Sequence, residues 1–337
     1  MNASMLTSPC LRASVFLLMR NWQKMLRAPT VCACLIAVLT VVGSARAEEA
    51  VVRFESGEGR VDVLIGKQRV AQYVYRDKEI FRPYFHAVTT LSGRQVTRNH
   101  PPKEGRDPTD HAAMHPGIGV AFGDLGGEDF WRNKGRVAER RFVEEPKSDG
   151  PRGSFVVENE YVAAKDERTL CRERCRWTIA ADMQGWWLVY DGEFTATVDG
   201  LAFGDQEEMG LGVRLATALT VGKGGEIVDS AGRKNEKGVW GKQGAWCDYA
   251  GTIDGRRVGV AAVPHRENFR ESWFHVRDYG LMVANPFGRN AFTRGEKSRV
   301  ELGRDRPLRL RFAVFVHEAA AGEKVDIEAA VKRMSGD

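Results

Sequence analysis

Four of the seven histidines of this 337-residue chain, His86, His100, His111 and His115, fall within 30 residues of one another. His111 and His115 are spaced H-x-x-x-H, with Asp110 beside them and Pro116-Gly117 directly after. On a helix that spacing puts two imidazoles on one face, as in many zinc sites. Here the turn residues compete with a helix, and the glutamate of H-E-x-x-H is missing. Three roles stay open for the pair. They are ligands of a divalent metal with His86 or His275 as the third, polar contacts to a substrate, or hydrogen bonds that pin a loop. No other cofactor is implied, because the chain has no phosphate-cradling glycine loop and no dinucleotide fingerprint. Nucleophilic catalysis finds no G-x-S-x-G elbow, and Cys247 lies between Trp246 and Asp248 without an adjacent base.

A second group of polar and aromatic residues runs from Pro264 to Asn290. Strand alternation would put Trp273, His275, Arg277 and Tyr279 on one face and Phe274, Val276 and Asp278 on the other. Such a stripe suits a sugar, since rings stack on C–H faces while Arg and His donate to hydroxyls or carboxylates. Glu207 and Glu208 supply the carboxylates that acid–base chemistry requires, with Arg214 competing for one of them. The expected catalytic set is His111 or His275 as acid or base, Glu207 as its partner and Arg277 as the electrostatic stabiliser. Arg82, His86, His115, His265, Trp273, Asp278 and Asn285 are the expected substrate contacts. Arg172, Arg174 and Arg176 alternate along one strand and read as a solvated face.

The elements that must hold these residues are mostly strands. Val61, Val63 and Ile65 alternate, and Val70, Gln72 and Val74 follow after the turn at Gly66-Lys67-Gln68. Phe155, Val157, Asn159 and Tyr161 share a face, Trp186–Tyr190 suggests a strand buried on both sides, and Leu308–Val316 alternates most clearly. Only the stretch from about Lys324 to Met334 predicts a helix. Many strands without intervening helices make an all-β fold, a large antiparallel β-sandwich with a short C-terminal helix. In outline it would be similar to galactose-mutarotase-like folds. Neither linker nor internal repeat interrupts residues 48–337, so one large domain is expected.

Three strings carry a family likeness: TDHAAMHPGIGVAFGDLGGEDFWRNKGRV, EEMGLGVR and SWFHVRDYGLMVANPFGRNAF. Together they resemble the PmoA-like family of exported bacterial proteins, over residues of about 82–292. The resemblance implies an exported protein in a setting of polysaccharide breakdown and supplies no mechanism. The family is named after a subunit of a membrane methane oxygenase, but the chain beyond residue 47 has no apolar run long enough to span a bilayer.

Residues 1–47 read as a secretory signal. Arg20, Lys24 and Arg27 precede an apolar run from Val31 to Val42, and Ala45-Arg46-Ala47 offers a cleavage site. Export to the periplasm or the outside follows, without stable membrane insertion after cleavage. The leader carries five of the 50 basic residues and no acidic ones, so the exported part balances 45 against 45. A neutral protein has no whole-molecule field to attract nucleic acid or anionic lipid, leaving a small molecule or a glycan as the expected partner. Of the six cysteines, Cys171, Cys175 and Cys247 lie beyond the leader. Cys171 and Cys175 sit about 13 Å apart on a strand, too far to bridge, and all three read as buried thiols.

Overall fold

Alternating apolar residues build strands along most of the chain. The computed structural model describes residues 50–335; the expected signal and its cleavage site at Ala47 lie outside them. The first strands are β1 (Val52–Gly57), β2 (Arg60–Ile65), β3 (Gln68–Val74), β4 (Tyr84–His86) and β5 (Ile118–Phe122). Longer ones follow: β6 (Arg136–Asp149), β7 (Arg152–Val162), β8 (Thr169–Asp182) and β9 (Gly185–Ala196). Next come β10 (Ala202–Phe203), β11 (Met209–Arg214), β12 (Glu226–Asp229), β13 (Lys242–Gln243), β14 (Cys247–Ile253) and β15 (Arg256–Pro264). The last strands are β16 (Trp273–Arg277), β17 (Leu281–Asn285), β18 (Val300–Glu301) and β19 (Leu308–Ala319). The helices are short: α1 (Asn235–Val239), α2 (Arg289–Thr293) and α3 (Ile327–Ser335).

Hydrogen bonding gathers most of these strands into two large antiparallel sheets, with β10 and β18 paired separately. The first runs β1-β2-β3-β4-β5-β11-β17-β16-β13, and the second runs β12-β14-β15-β19-β9-β8-β7-β6. Aromatic pairs lock the sheets face to face: Phe85 with Trp177 at 4.8 Å, Tyr73 with Phe155 at 5.0 Å and Phe122 with Phe194 at 5.4 Å between ring centroids. Such pairs gain from edge-to-face and offset contact beyond the area they bury. The fold is therefore the all-β antiparallel sandwich that the alternation predicts. On the outer side of the second sheet, Ile327 and Ala330 of α3 pack with Trp187, Ala261, Ala313 and Phe315, and Trp187 stacks on Phe315 at 4.4 Å. That is why Trp186–Tyr190 is apolar on both faces.

Cys171, Cys175 and Cys247 are free and buried, and burial pushes each thiol upward, so none is poised as a nucleophile. Arg172 and Arg176 pair with Glu160 and Glu144 on an exposed face, as the alternation of the strand implies.

Candidate functional site

Register fixes what the outer face of the first sheet displays. Directly paired residues of antiparallel strands share a face. His275 is opposite Val283, Val283 opposite Gly212, and Gly212 opposite Gly119, giving one row across β16, β17, β11 and β5. The flanking rows hold Trp273, Asn285, Gly210 and Ala121 on one side, and Arg277, Leu281 and Arg214 on the other. Phe274, Val276, Met282 and Ala284 face the core instead. The expected stripe is present on one face for Trp273, His275 and Arg277, whereas its fourth member, Tyr279, lies in the turn after β16.

Glycine in a strand interior commonly marks a close approach by something else. At Gly212 that something is Trp131: a Cβ there would lie 2.5 Å from the indole. Trp131, Ala121, Leu281 and Val283 form a small apolar cluster on this face. The indole N–H donates to His115 Nε2 at 3.1 Å. Glu208 Oε1 lies 3.3 Å from the same nitrogen, while Glu208 Oε2 accepts from Arg132. Arg132 also donates to Asp129 at 3.1 Å and Gln206 at 3.1 Å. Burial holds the His115 imidazole below its ordinary value, against the pull of Glu208. Burial works to raise Glu208, but the His115 bond and Arg132 outweigh it and hold the carboxyl low.

A second assembly repeats these parts on β16. Trp240, just after α1, donates its indole N–H to His275 Nδ1 at 3.1 Å, and Glu207 Oε2 lies 3.3 Å from that nitrogen. Arg277 reaches Glu207 at 3.5 Å and Glu236 at 2.7 Å, with its guanidinium over the Trp240 ring. Burial, then the charge of Arg277, pushes His275 down to about 4. The two assemblies lie within electrostatic reach, since His115 and Glu208 both act on His275.

One nitrogen cannot satisfy both neighbours. An indole N–H needs a lone pair, whereas a carboxylate needs a proton there. The neutral imidazole therefore keeps the tryptophan bond, with its hydrogen on the other nitrogen. Adding a proton exchanges the tryptophan for the glutamate as partner. In His115 the other nitrogen, Nδ1, is buried without a protein partner among the described residues. A cavity of about 20 Å³, lined in part by His115, Arg82, Trp131 and Arg214, has room for one water.

Buried arginines hold the surrounding loops. Arg98 donates to the carbonyls of Pro108 at 3.0 Å and Asp110 at 2.8 Å, and reaches those of His111 and His115. Arg214 grips both carboxylate oxygens of Asp110 at 3.2 Å and the Tyr279 carbonyl at 2.8 Å. His111 stands outside them with its side chain 50% exposed, its ring 5.5 Å from that of His115.

The sequence expectations divide accordingly. His115, His275, Glu207 and Arg277 come together, with His111 at their edge. His86 does not join them: it bonds Gln72 at 2.7 Å and packs near Tyr84 and His100. Its strand β4 lies four strands from β16, roughly 19 Å across the sheet. His265 directly follows β15 of the other sheet, where its backbone N–H donates to the Arg311 carbonyl and its Nδ1 accepts from the Glu267 N–H.

Arg82, Asp278 and Asn285 are engaged in structural ties. Arg82 is buried on the carbonyls of Trp131 and Met114. Asp278 accepts from the Glu236 N–H at 2.8 Å, which positions Glu236 for Arg277. Asn285 donates to the carbonyls of Gln206 and Glu207 and accepts from Phe287 and Gly288. Trp273 is only 7% exposed, packed by Phe292 and Arg270, so it offers no stacking platform. His275 is itself buried, 3% exposed. Among the described residues no group of three or more His, Cys, Asp or Glu side chains is arranged to hold a metal ion. His111 and His115 therefore lack the third ligand expected from His86 or His275, and Trp131 and Glu208 already occupy His115 Nε2. Trp131, Arg132, Glu236 and Trp240 are site residues that the spacing did not reveal.

Among curated proteins, none matches the chain. Among solved structures, one titled "Putative kojibiose phosphorylase from human microbiome" matches at 8% identity and a TM-score of 0.36. The match covers 86% of this chain and 33% of that one, so the chain spans about a third of that protein's length. A family model matches residues 60–332, most of the sandwich, and by it the chain belongs to the family of unknown function DUF6807.

Proposed function

We propose that this chain is an exported carbohydrate-active enzyme that moves a proton at a sugar carbon or oxygen. That step is common to epimerisation, elimination and hydrolysis. The observation that carries the reading is the imidazole–carboxylate pair of buried His275 with exposed Glu207, braced by Arg277 and Trp240. Glu207, 41% exposed, is the group that meets the substrate. Neutral His275 accepts or returns the proton beside it, and Arg277 answers negative charge that develops on the sugar. The likeness to PmoA-like exported proteins and the leader sequence support the extracellular setting.

A non-catalytic sugar-binding module would keep its charges apart and display an open aromatic platform. The buried Trp273 and the 3.3 Å contact between titratable groups favour the enzyme. The test is a screen of oligosaccharides and oxidised sugars by mass spectrometry, with calorimetry on each hit. Turnover should fall ~10²–10⁴-fold in His275→Asn, the usual worth of a positioned acid or base. Tight binding of a sugar with no product over long incubation would overturn the enzyme reading. Product formation unchanged in His275→Asn would overturn the role of that residue.

A further inference from the structure

Away from the histidines, a cavity of about 500 Å³ opens between the segment Gln95–Asn99, the turn Lys103–Asp107, the 3₁₀ turns at Thr217–Leu219 and Val221–Lys223, and Ile253. This volume falls within the range of small-molecule sites. Its walls are tied to one another. Asp107 accepts from Asn99 at 2.7 Å, from Thr217 at 2.7 Å and from the Lys103 backbone N–H at 3.0 Å. Gln95 donates to the Thr97 carbonyl at 2.9 Å and reaches Asn99. Asp107, the one carboxylate in the lining, is thus already saturated. Burial works to raise it, but these bonds and Arg98 hold it low, so it stays ionised as part of the wall.

The cations of the lining are in a different position. Lys103, Arg106 and Lys223 bring three positive charges to one cavity, and among the described residues none has an ion-pair or hydrogen-bond partner for its side chain. Beyond residue 47 the sequence is charge-balanced, so this surplus is local and not a sample of a basic surface. Three cations against the one committed carboxylate of Asp107 leave the lining net positive, and an arrangement of this kind gains from a bound anion.

We infer that this cavity is an anion site, taking a multivalent carboxylate, sulfate or phosphate group. The group belongs either to a free small anion or to an acidic sugar of a longer chain. The inference does not depend on the proposed reaction, since no residue of the cavity belongs to the histidine–glutamate assemblies.

The experiment is calorimetry on the full chain with inorganic phosphate, inorganic sulfate, trigalacturonate and a neutral trisaccharide. Binding of any of the three anions, with none of the neutral sugar, is expected. Phosphate or sulfate binding alone identifies a free anion as the ligand, and preference for trigalacturonate identifies an acidic glycan. Exposed charge pairs are individually weak, but three acting together should give the triple variant Lys103→Ala/Arg106→Ala/Lys223→Ala a loss of about tenfold or more in affinity. Raising salt should weaken wild-type binding for the same reason. Because the three side chains are exposed, the variant should keep its circular dichroism and melting temperature. No binding of any anion, equal binding by the triple variant, or equal binding of the neutral sugar would each overturn the inference.

Discussion

The assemblies around His115 and His275 use the same parts with opposite access. In each, a tryptophan N–H holds one imidazole nitrogen, a glutamate stands 3.3 Å from it, and an arginine answers the glutamate. Glu208 is only 10% exposed and its second oxygen is taken by Arg132, whereas Glu207 is 41% exposed. The contrast separates access from local chemistry: the same histidine–carboxylate contact is closed off in one assembly and open on its carboxylate in the other, and only the second could meet a substrate.

Exchange of the two carboxylates is the strongest way to break this comparison. Glu207→Gln should cut turnover ~10²–10⁴-fold with no change in melting temperature. Glu208→Gln should leave turnover per folded molecule within about tenfold while costing roughly 1–3 kcal/mol of stability in urea titrations. The opposite pattern, with Glu208→Gln inactive and fully stable, would reverse the roles assigned to them.

Acid should act next most strongly. The free imidazole takes its proton near pH 6.5, but folded His275 does so only near 4. The unfolded chain therefore binds more protons between these values. Stability from this residue is full above about pH 6.5 and is lost as pH falls toward 4, by up to about 3 kcal/mol. His115 shifts in the same direction. Denaturation at about pH 7.5 and about pH 4.5 should show a steep loss in the wild type and a shallower one in His275→Gln. Equal slopes in the two proteins would mean that His275 is not buried neutral.

The smallest effect sharpens the comparison. Trp240→Phe removes the N–H that holds His275 Nδ1, so protonation no longer sacrifices a bond. The imidazole should then titrate up to about one pH unit higher, read from its ring proton resonances by NMR. An unchanged titration would show that the tryptophan contributes packing alone.

Much of this arrangement was legible in the sequence where period-2 patterning governs it. The stripe Trp273-His275-Arg277 followed from alternation, as did the paired sheets and the solvated Arg172–Arg176 face. Crowding along the chain was a poorer guide. His86 and His115 share a short segment, yet β5, β11 and β17 stand between β4 and the strand that carries His275. His265 lies ten residues before His275, but the chain changes sheets between them. The partners that complete the assemblies are remote: Trp240 from His275 by 35 residues and Glu208 from His115 by 93. No spacing rule joins them. One signal was present and could have been used, since Gly212 interrupts an apolar strand at the place where the Trp131 indole lies.

Glu207 and Glu208 are consecutive, and Asn285 holds the carbonyls of Gln206 and Glu207 at 2.7 and 3.0 Å while its own oxygen is spent on Phe287 and Gly288. The two carboxylates thus hang from a single fixed pivot, like two pans on one beam. A backbone shift that improves one contact displaces the other, so neither histidine site can be retuned alone by moving the main chain. The same geometry limits length. One residue added or removed between Gln206 and Glu208 would disconnect both imidazoles from their carboxylates at once, although the segment lies outside any strand and would otherwise tolerate such changes.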